Sequence, residues 1–295
     1  MFNQIEDLFI DSNEKYIVLK NGIIIQGNGI FSLEIKESGT YKIVHIVEED
    51  INININIANS IEVCLKEIFF KIENNPKITI NLTVGDNTRI DYLSFKQNNK
   101  SDKICFLANT YLGEKAYINL KNLSILNSKV NLTDNVYLDK KNATIDMKNV
   151  IINASGKNQV YQYDIYHQAV KTRSEMHNFA ISKNKSHIDI KSKGIIFNKS
   201  YGADLLQKTK GLIMDMYSQI AADPILIINE NDCLASHGAS IGEINEEELY
   251  YVMSRGLPRN ESEKLIISGF INPFFIEMSE DKAVDFMKEM IIKNI

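Results

Sequence analysis

The sequence predicts a mainly β chain: a core of short stacked strands, with a small helical subdomain at its C-terminal end. Three observations carry this. From about Ser32 to Gln168, apolar and polar residues alternate in runs such as YKIVHIV, INININI, KITINLTV and RIDYLSF. Alternation of period two marks strands with one buried face. Asparagine recurs inside those runs, although strands generally disfavour it. After Gly242 the period changes and helix-start residues appear.

Residues 1–30 read as an N-terminal cap: a short apolar piece of helical character, then YIVLKNGIIIQGNG as strand, turn, strand about Asn21-Gly22. The core spans residues 31–244. Beyond the runs above it contains AYINLKNLSI, KVNLTDNVYL and ATIDMKNVII, then SHIDIKSKGIIF, GLIMDMYSQI and PILIINEN. Two architectures fit this alternation, a stacked sandwich and a solenoid whose coils each contribute short strands. The asparagines favour the solenoid, where stacked inward or corner amides can hydrogen-bond from coil to coil.

Residues 245–295 form the helical subdomain. Asn245 and Glu248 have the spacing of a capping box, and NEEELYYVMSRGL ends at Gly256, a natural C-cap. Asn260 and Glu263 repeat the spacing just beyond Pro258 and open NESEKLIISGF. Ser279, followed by acidic residues, opens SEDKAVDFMKEMIIKNI. Leu249, Tyr250 and Met253 fall on one helical face, as do Ala283, Phe286, Met287 and Met290.

Composition removes several function classes. At 295 residues, 44% hydrophobic and 24% charged, the chain is a folded protein, and its net charge of −5 argues against a duplex nucleic-acid partner. Cys64, Cys105 and Cys233 are widely separated with no C-x-x-C pair, so neither a disulfide framework nor a zinc ribbon is expected. An acidic N-terminus and the lack of any long apolar run predict a cytoplasmic protein with free thiols and no membrane partner. No G-x-x-x-x-G-K-[ST] phosphate loop occurs, so any ATP hydrolysis belongs to another protein.

Reactive residue types concentrate between Asp232 and Phe270. Cys233 and His237 are four residues apart; Gly238 and Gly242 then permit unusual backbone angles or close approach by another chain. In an extended strand the two side chains stand about 13 Å apart at ~3.3 Å per residue. One chain cannot close a metal site with both, so a facing subunit must supply the rest. His167, His177 and His187 recur every ten residues but read as surface or corner residues. Asp164, His167, Arg173 and His177 would suit a carbohydrate-active β-solenoid enzyme, a reading of another class; no carboxylates pair clearly enough to favour it.

The run SHGASIGEINEEELYYVMSRGL followed by SGF resembles the C-terminal signature of the SufB/SufD family, scaffold subunits of iron–sulfur cluster assembly that work with an ATPase called SufC. SHGA-x-x-G, the aromatic pair before x-x-SRG, and the later GF match in order and spacing. ADPILIINEND resembles the segment leading into the signature, and weaker similarity reaches back to about His167. The resemblance implies a right-handed parallel β-helix core and a non-catalytic role. It implies an iron–sulfur cluster held transiently at a subunit interface, with a SufC-like ABC-type ATPase and a SufB-like subunit, or a second copy of this chain, as partners.

His237 occupies the position that SufD-type chains use in nascent cluster formation. SufB-type chains place a Glu directly after the matching His, where this chain has Gly238, so the motif is SufD-like. SufD-like chains carry a Cys immediately before SHG; here that slot is Ala235 and the thiol, Cys233, lies two residues earlier. His237 and Cys233 are therefore the candidates for cluster assembly and transient metal binding. Leu249, Tyr250, Met253, Arg255 and Phe270 are the candidates for gripping the ATPase. Within the family, the alternative is the sole, homodimeric scaffold of a reduced system. Larger members carry a helical domain ahead of the β-helix, for which this chain has little room.

Overall fold

The computed structural model describes residues 15–28, 33–98, 101–276, 278 and 282–294. Two strands, β1 (Lys15–Lys20) and β2 (Ile23–Asn28), form the N-terminal hairpin. Sixteen more follow, alternating between two sheets. One sheet receives β4 (Gly39–Val47), β6 (Glu62–Ile72), β8 (Arg89–Gln97), β10 (Tyr117–Ile125), β12 (Thr144–Asn153), β14 (Arg173–Ser182), β16 (Ala203–Ile213) and β18 (Cys233–Glu243). The other receives β3 (Glu34–Ile35), β5 (Ile51–Ile57), β7 (Lys77–Val84), β9 (Lys103–Leu112), β11 (Lys129–Leu138), β13 (Asn158–His167), β15 (His187–Ile196) and β17 (Gln219–Ile228). With the hairpin attached to β4, the sheets have ten and eight strands.

Among the described residues every strand pair is parallel except the hairpin, whose Asn21-Gly22 turn has φ of 49° and 81°. Parallel pairing of every second strand is a solenoid, here of about eight turns, and not a sandwich. The inward rows of isoleucine, valine and leucine fill one continuous core.

Coil-to-coil hydrogen bonds explain the asparagines. Inside the core, Asn122 donates to Asn149 (2.9 Å), Asn149 to Asn178 (2.7 Å), and Asn178 to Ser192 and Thr209. On the outer face of the eight-stranded sheet Asn81, Asn109 and Asn135 each donate to the asparagine one coil earlier at 2.9–3.0 Å, the first to Asn54. Beside this outer ladder Tyr111, Tyr137 and Tyr166 stack with centroids 4.7 and 4.9 Å apart. One corner is equally periodic: Ser60, Asn87, Lys115, Asn142, Lys171 and Gly202 all have left-handed φ. Each donates its backbone N–H to a carbonyl of the following coil, the last to Asp232.

The helices are α1 (Glu246–Ser254), α2 (Arg259–Phe275) and α3 (Lys282–Asn294). Asn245 caps α1 as expected, its Oδ1 accepting from the N–H groups of Glu247 and Glu248, and Gly256 closes it with φ 96°. The second start differs. Pro258, not Asn260, is the N-cap, without a side-chain cap bond, and α2 runs on through Pro273 to Phe275. Proline's fixed φ sets this entry on its own, so the Asn260–Glu263 spacing falls inside the helix. The expected start at Ser279 and the helical piece before Lys15 lie outside the described residues.

A column of outward residues explains where the helices go. Val18, Val44, Ile68, Phe95, Leu123, Val150 and Phe179 stand in register across the ten-stranded sheet, and the row turns polar at Lys210 and Ser240. Helices α2 and α3 cover it with Ile267, Ile271, Phe274, Ala283, Val284, Met287 and Ile291; Phe286 and Met290 pack at the margin. Each large side chain buried there contributes about 1.5–3 kcal/mol.

Candidate functional site

Strands β17 and β18 end the stack, so each has one side without a strand partner. The sequence of β18, CLASHGASIGE, carries a single formal charge, at Glu243, and no proline. Its register with β16 is uninterrupted from Ala203–Cys233 to Ile213–Glu243. Lysine, proline and bulges are the usual devices that stop a sheet edge from pairing with another chain, and β18 has none of them.

Register also fixes the faces. Cys233, Ala235, His237, Ala239 and Ile241 stand beside the inward residues Ala203, Leu205, Gln207, Thr209 and Gly211. They continue the interior of the solenoid where no further coil covers it. Leu234 is 71% exposed, and Ile225, Ile227 and Ile228 on β17 and Ile241 on β18 are exposed as well. Gly238 and Gly242 do not have left-handed φ, which corrects half of the expectation for them; a Cβ on either would meet no atom within 4 Å.

The two candidate ligands differ in setting. His237 is exposed, and its imidazole makes no hydrogen bond to the described residues. Cys233 is half-buried against Ile196 and Ala203, and its Sγ donates to Glu230 O at 3.2 Å. The Glu230 carboxylate accepts from the N–H groups of Lys199, Asn231 and Asp232 at 2.8–3.1 Å, bonds that hold its pKa down. Burial, then the charges of Glu230 and Asp232, push the Cys233 thiol up. This setting favours the protonated thiol over the thiolate. Cys233 and His237 lie four residues apart on one face of β18.

Among the described residues no three His, Cys, Asp or Glu side chains group as a metal site. The spaced histidines do not converge. His167 ends β13, whereas His177 lies in β14 of the other sheet and meets Glu175 at 2.7 Å. His167 is not at the surface, as its spacing suggested; it is buried between the hydroxyls of Thr172 and Ser174. Asp164 faces out from the eight-stranded sheet and pairs with Lys193 at 3.2 Å, apart from Arg173 and His177 on the ten-stranded one.

Of the residues expected to grip a partner, Leu249 is buried at 1% exposure, and Phe270 packs edge-on against Phe179, 5.7 Å between centroids. Both are occupied by the chain's own core. Tyr250, 74% exposed, Met253 and Arg255 face solvent together with Tyr251 and Leu257. The Arg255 guanidinium lies over the Tyr251 ring and donates to its hydroxyl at 3.0 Å.

A second polar centre escaped the sequence reading. His45, Glu67, Tyr92, Lys96 and Asp134 are all buried inside the coil. The available signal was parity, because Glu67 and Asp134 occupy inward positions of their alternating runs.

Comparison with known proteins identifies a family. A family model described as the SufBD core domain of the SUF system for FeS cluster assembly matches residues 48–270. The iron–sulfur cluster assembly protein SufD of Bacillus subtilis is 29% identical over 133 residues, which cover 45% of this chain and 30% of that protein. A SufBD family protein of Staphylococcus haemolyticus is 30% identical over 133 residues, covering 44% and 29%. One from Mycobacterium leprae is 23% identical over 150 residues, covering 51% and 17%. The chain thus spans less than a third of the length of these relatives.

Proposed function

Since the chain belongs to the SufBD family of iron–sulfur cluster assembly proteins, we propose that it is a non-catalytic scaffold subunit that pairs through the open edge of β18. The observation that carries this reading is an eleven-residue, almost uncharged edge strand presenting Cys233 and His237 where the solenoid interior opens. A second scaffold subunit on that edge, SufB-like or another copy of this chain, would satisfy the unpaired backbone groups and bury the exposed isoleucines. It would also bring its own ligands within reach of His237 and Cys233. The cluster is cargo, formed across the interface and passed on. The neutral imidazole supplies a nitrogen ligand or accepts a proton, and the Cys233 thiolate supplies sulfur once a cation has lowered its pKa. A SufC-like ATPase is the second partner, docking on the exposed side of α1 through Tyr250, Met253 and Arg255.

The test combines assembly with chemistry. Light scattering on the chain alone and with a SufB-like partner reads the pairing. Anaerobic cluster reconstitution with all partners then compares wild type with His237→Ala and Cys233→Ser. His237→Ala is expected to pair and to melt within a few degrees of wild type while losing most cluster formation, with Cys233→Ser intermediate. Wild-type reconstitution by both variants would remove these residues from the site. A chain that stays monomeric with either partner would remove the edge assignment.

A further inference from the structure

Inside the coil, polar side chains from four strands meet around a cavity of about 30 Å³. Glu67, Tyr92, Ser94, Lys96, Asn122 and Asp134 line it. Its two carboxylates are treated differently. Glu67 is matched: Oε1 meets His45 Nε2 at 2.8 Å and Oε2 accepts from the Tyr92 hydroxyl. Asp134 is not, because its Oδ1 is buried without any hydrogen-bond partner. The Lys96 ammonium bonds Ser94 Oγ (2.7 Å) and Asn122 Oδ1 (3.3 Å), neither of them a carboxylate. A buried carboxylate oxygen without a donor among the described residues disfavours the ionised form, because burial strips hydration from the charge.

We propose that Asp134 is a proton-binding site inside the solenoid, by which the folded scaffold takes up one proton on mild acidification and is stabilised by it. Burial pushes the Asp134 carboxyl up to about 6, against the opposing influence of Lys96 and Asn122. The other groups that face it do not mimic this response. Burial, then the Glu67 charge, carries Tyr92 far up, and burial does the same to Tyr163. Burial alone would raise Glu67, but its bonds from His45 and Tyr92 hold it below its ordinary value. Burial pulls Lys96 down, with Glu67 and then Asp134 opposing. The sign follows from a folded value above the ordinary 3.8. The stabilisation is complete below about pH 4 and is lost as pH rises through about 6.

The experiment is the melting temperature of wild type and Asp134→Asn from pH 4 to 8. The variant keeps the shape and cannot carry the charge. It is expected to melt several degrees above wild type at pH 8, with the gap closing as pH approaches 4. A gap that does not change with pH, or a variant less stable at pH 8, overturns the proposal. Lys96→Met serves as a second reading, by the NMR titration of aspartate side-chain carboxyl carbons. Wild type is expected to show one midpoint between pH 5 and 7, and removing the cation moves that midpoint upward. Midpoints all near 4 in both proteins overturn the proposal even if Asp134→Asn does not fold. None of these readouts uses cluster assembly, so they stand or fall apart from the edge-pairing reading.

Discussion

His167 sets one limit on the pH range over which the coils hold together. Its two ring nitrogens meet Thr172 Oγ1 at 2.8 Å and Ser174 Oγ at 2.7 Å, and burial pushes its pKa down to about 4. A base held below its unfolded value of about 6.5 contributes stability above that pH and loses it as pH falls toward 4. At about 1.4 kcal/mol per tenfold, the whole interval is worth at most about 3 kcal/mol. Relative to wild type, His167→Gln is expected to gain stability as pH falls from 6.5 to 4, read as the difference between the two melting temperatures at each pH. At pH 8 it loses about 1–3 kcal/mol through the two hydroxyls left without their partner. A variant that keeps the full acid slope would assign that slope to other groups. Asp134 works in the opposite sense over an overlapping range, so the wild type shows a smaller pH response than either residue alone would give.

Among the elements, the amide ladder and the open edge make opposite demands. Asn149 is buried, accepts from Asn122 and donates to Asn178. Asn149→Ala strands a donor on one neighbour and an acceptor on the other, at about 1–3 kcal/mol each, readable by denaturant titration. Gly238→Val should behave in reverse. A side chain there meets nothing in the isolated chain, so folding is expected to be unchanged, while pairing measured by light scattering weakens at least tenfold. Unaltered pairing would place the interface elsewhere.

The same elements show how much was legible. INININI gives away a half-buried strand because each isoleucine and asparagine takes the face its parity assigns. Asn245 and Gly256 give away α1 because a cap acts within four residues. The coil period was present in Asn54, Asn81, Asn109 and Asn135, but strand alternation repeats every two residues and hides a longer repeat. The open edge at Cys233 and His237 was legible through motif spacing. The buried cluster at Asp134 was legible only in part: parity puts the aspartate of KVNLTDNVYL on the face of Val130, Leu132, Val136 and Leu138, but no local pattern names the groups from other coils that it meets. The split of α1 into a buried Leu249 and an exposed Tyr250 depends on how the subdomain folds back over the sheet, which no local pattern fixes.

For the whole molecule, the dimensions follow from the coil count. About eight coils at ~4.8 Å stack to ~38 Å, and strands of about ten residues span ~33 Å, so one chain is a slab and not a rod. Pairing through β18 would join two stacks end to end. Solution scattering is expected to show a paired species about twice as long as the monomer along the stacking axis. A paired species that grows equally in all directions would contradict docking at that edge.

The fold-back of α2 and α3 across the outward apolar column has a mechanical consequence. Helix α2 reaches Phe179 on β14, and α3 reaches Phe95 on β8, so the chain doubles back across successive coils like a strap sewn over a stack of rings. A force applied at the C-terminus meets the strap first and peels its side chains off one at a time, at low load. A force applied evenly along β18 loads eleven residues of parallel ladder together. The molecule is therefore stiff to whatever grips its edge and compliant to whatever pulls its tail. A motor protein working on the helices could loosen the cover over the ten-stranded sheet while the edge stayed closed.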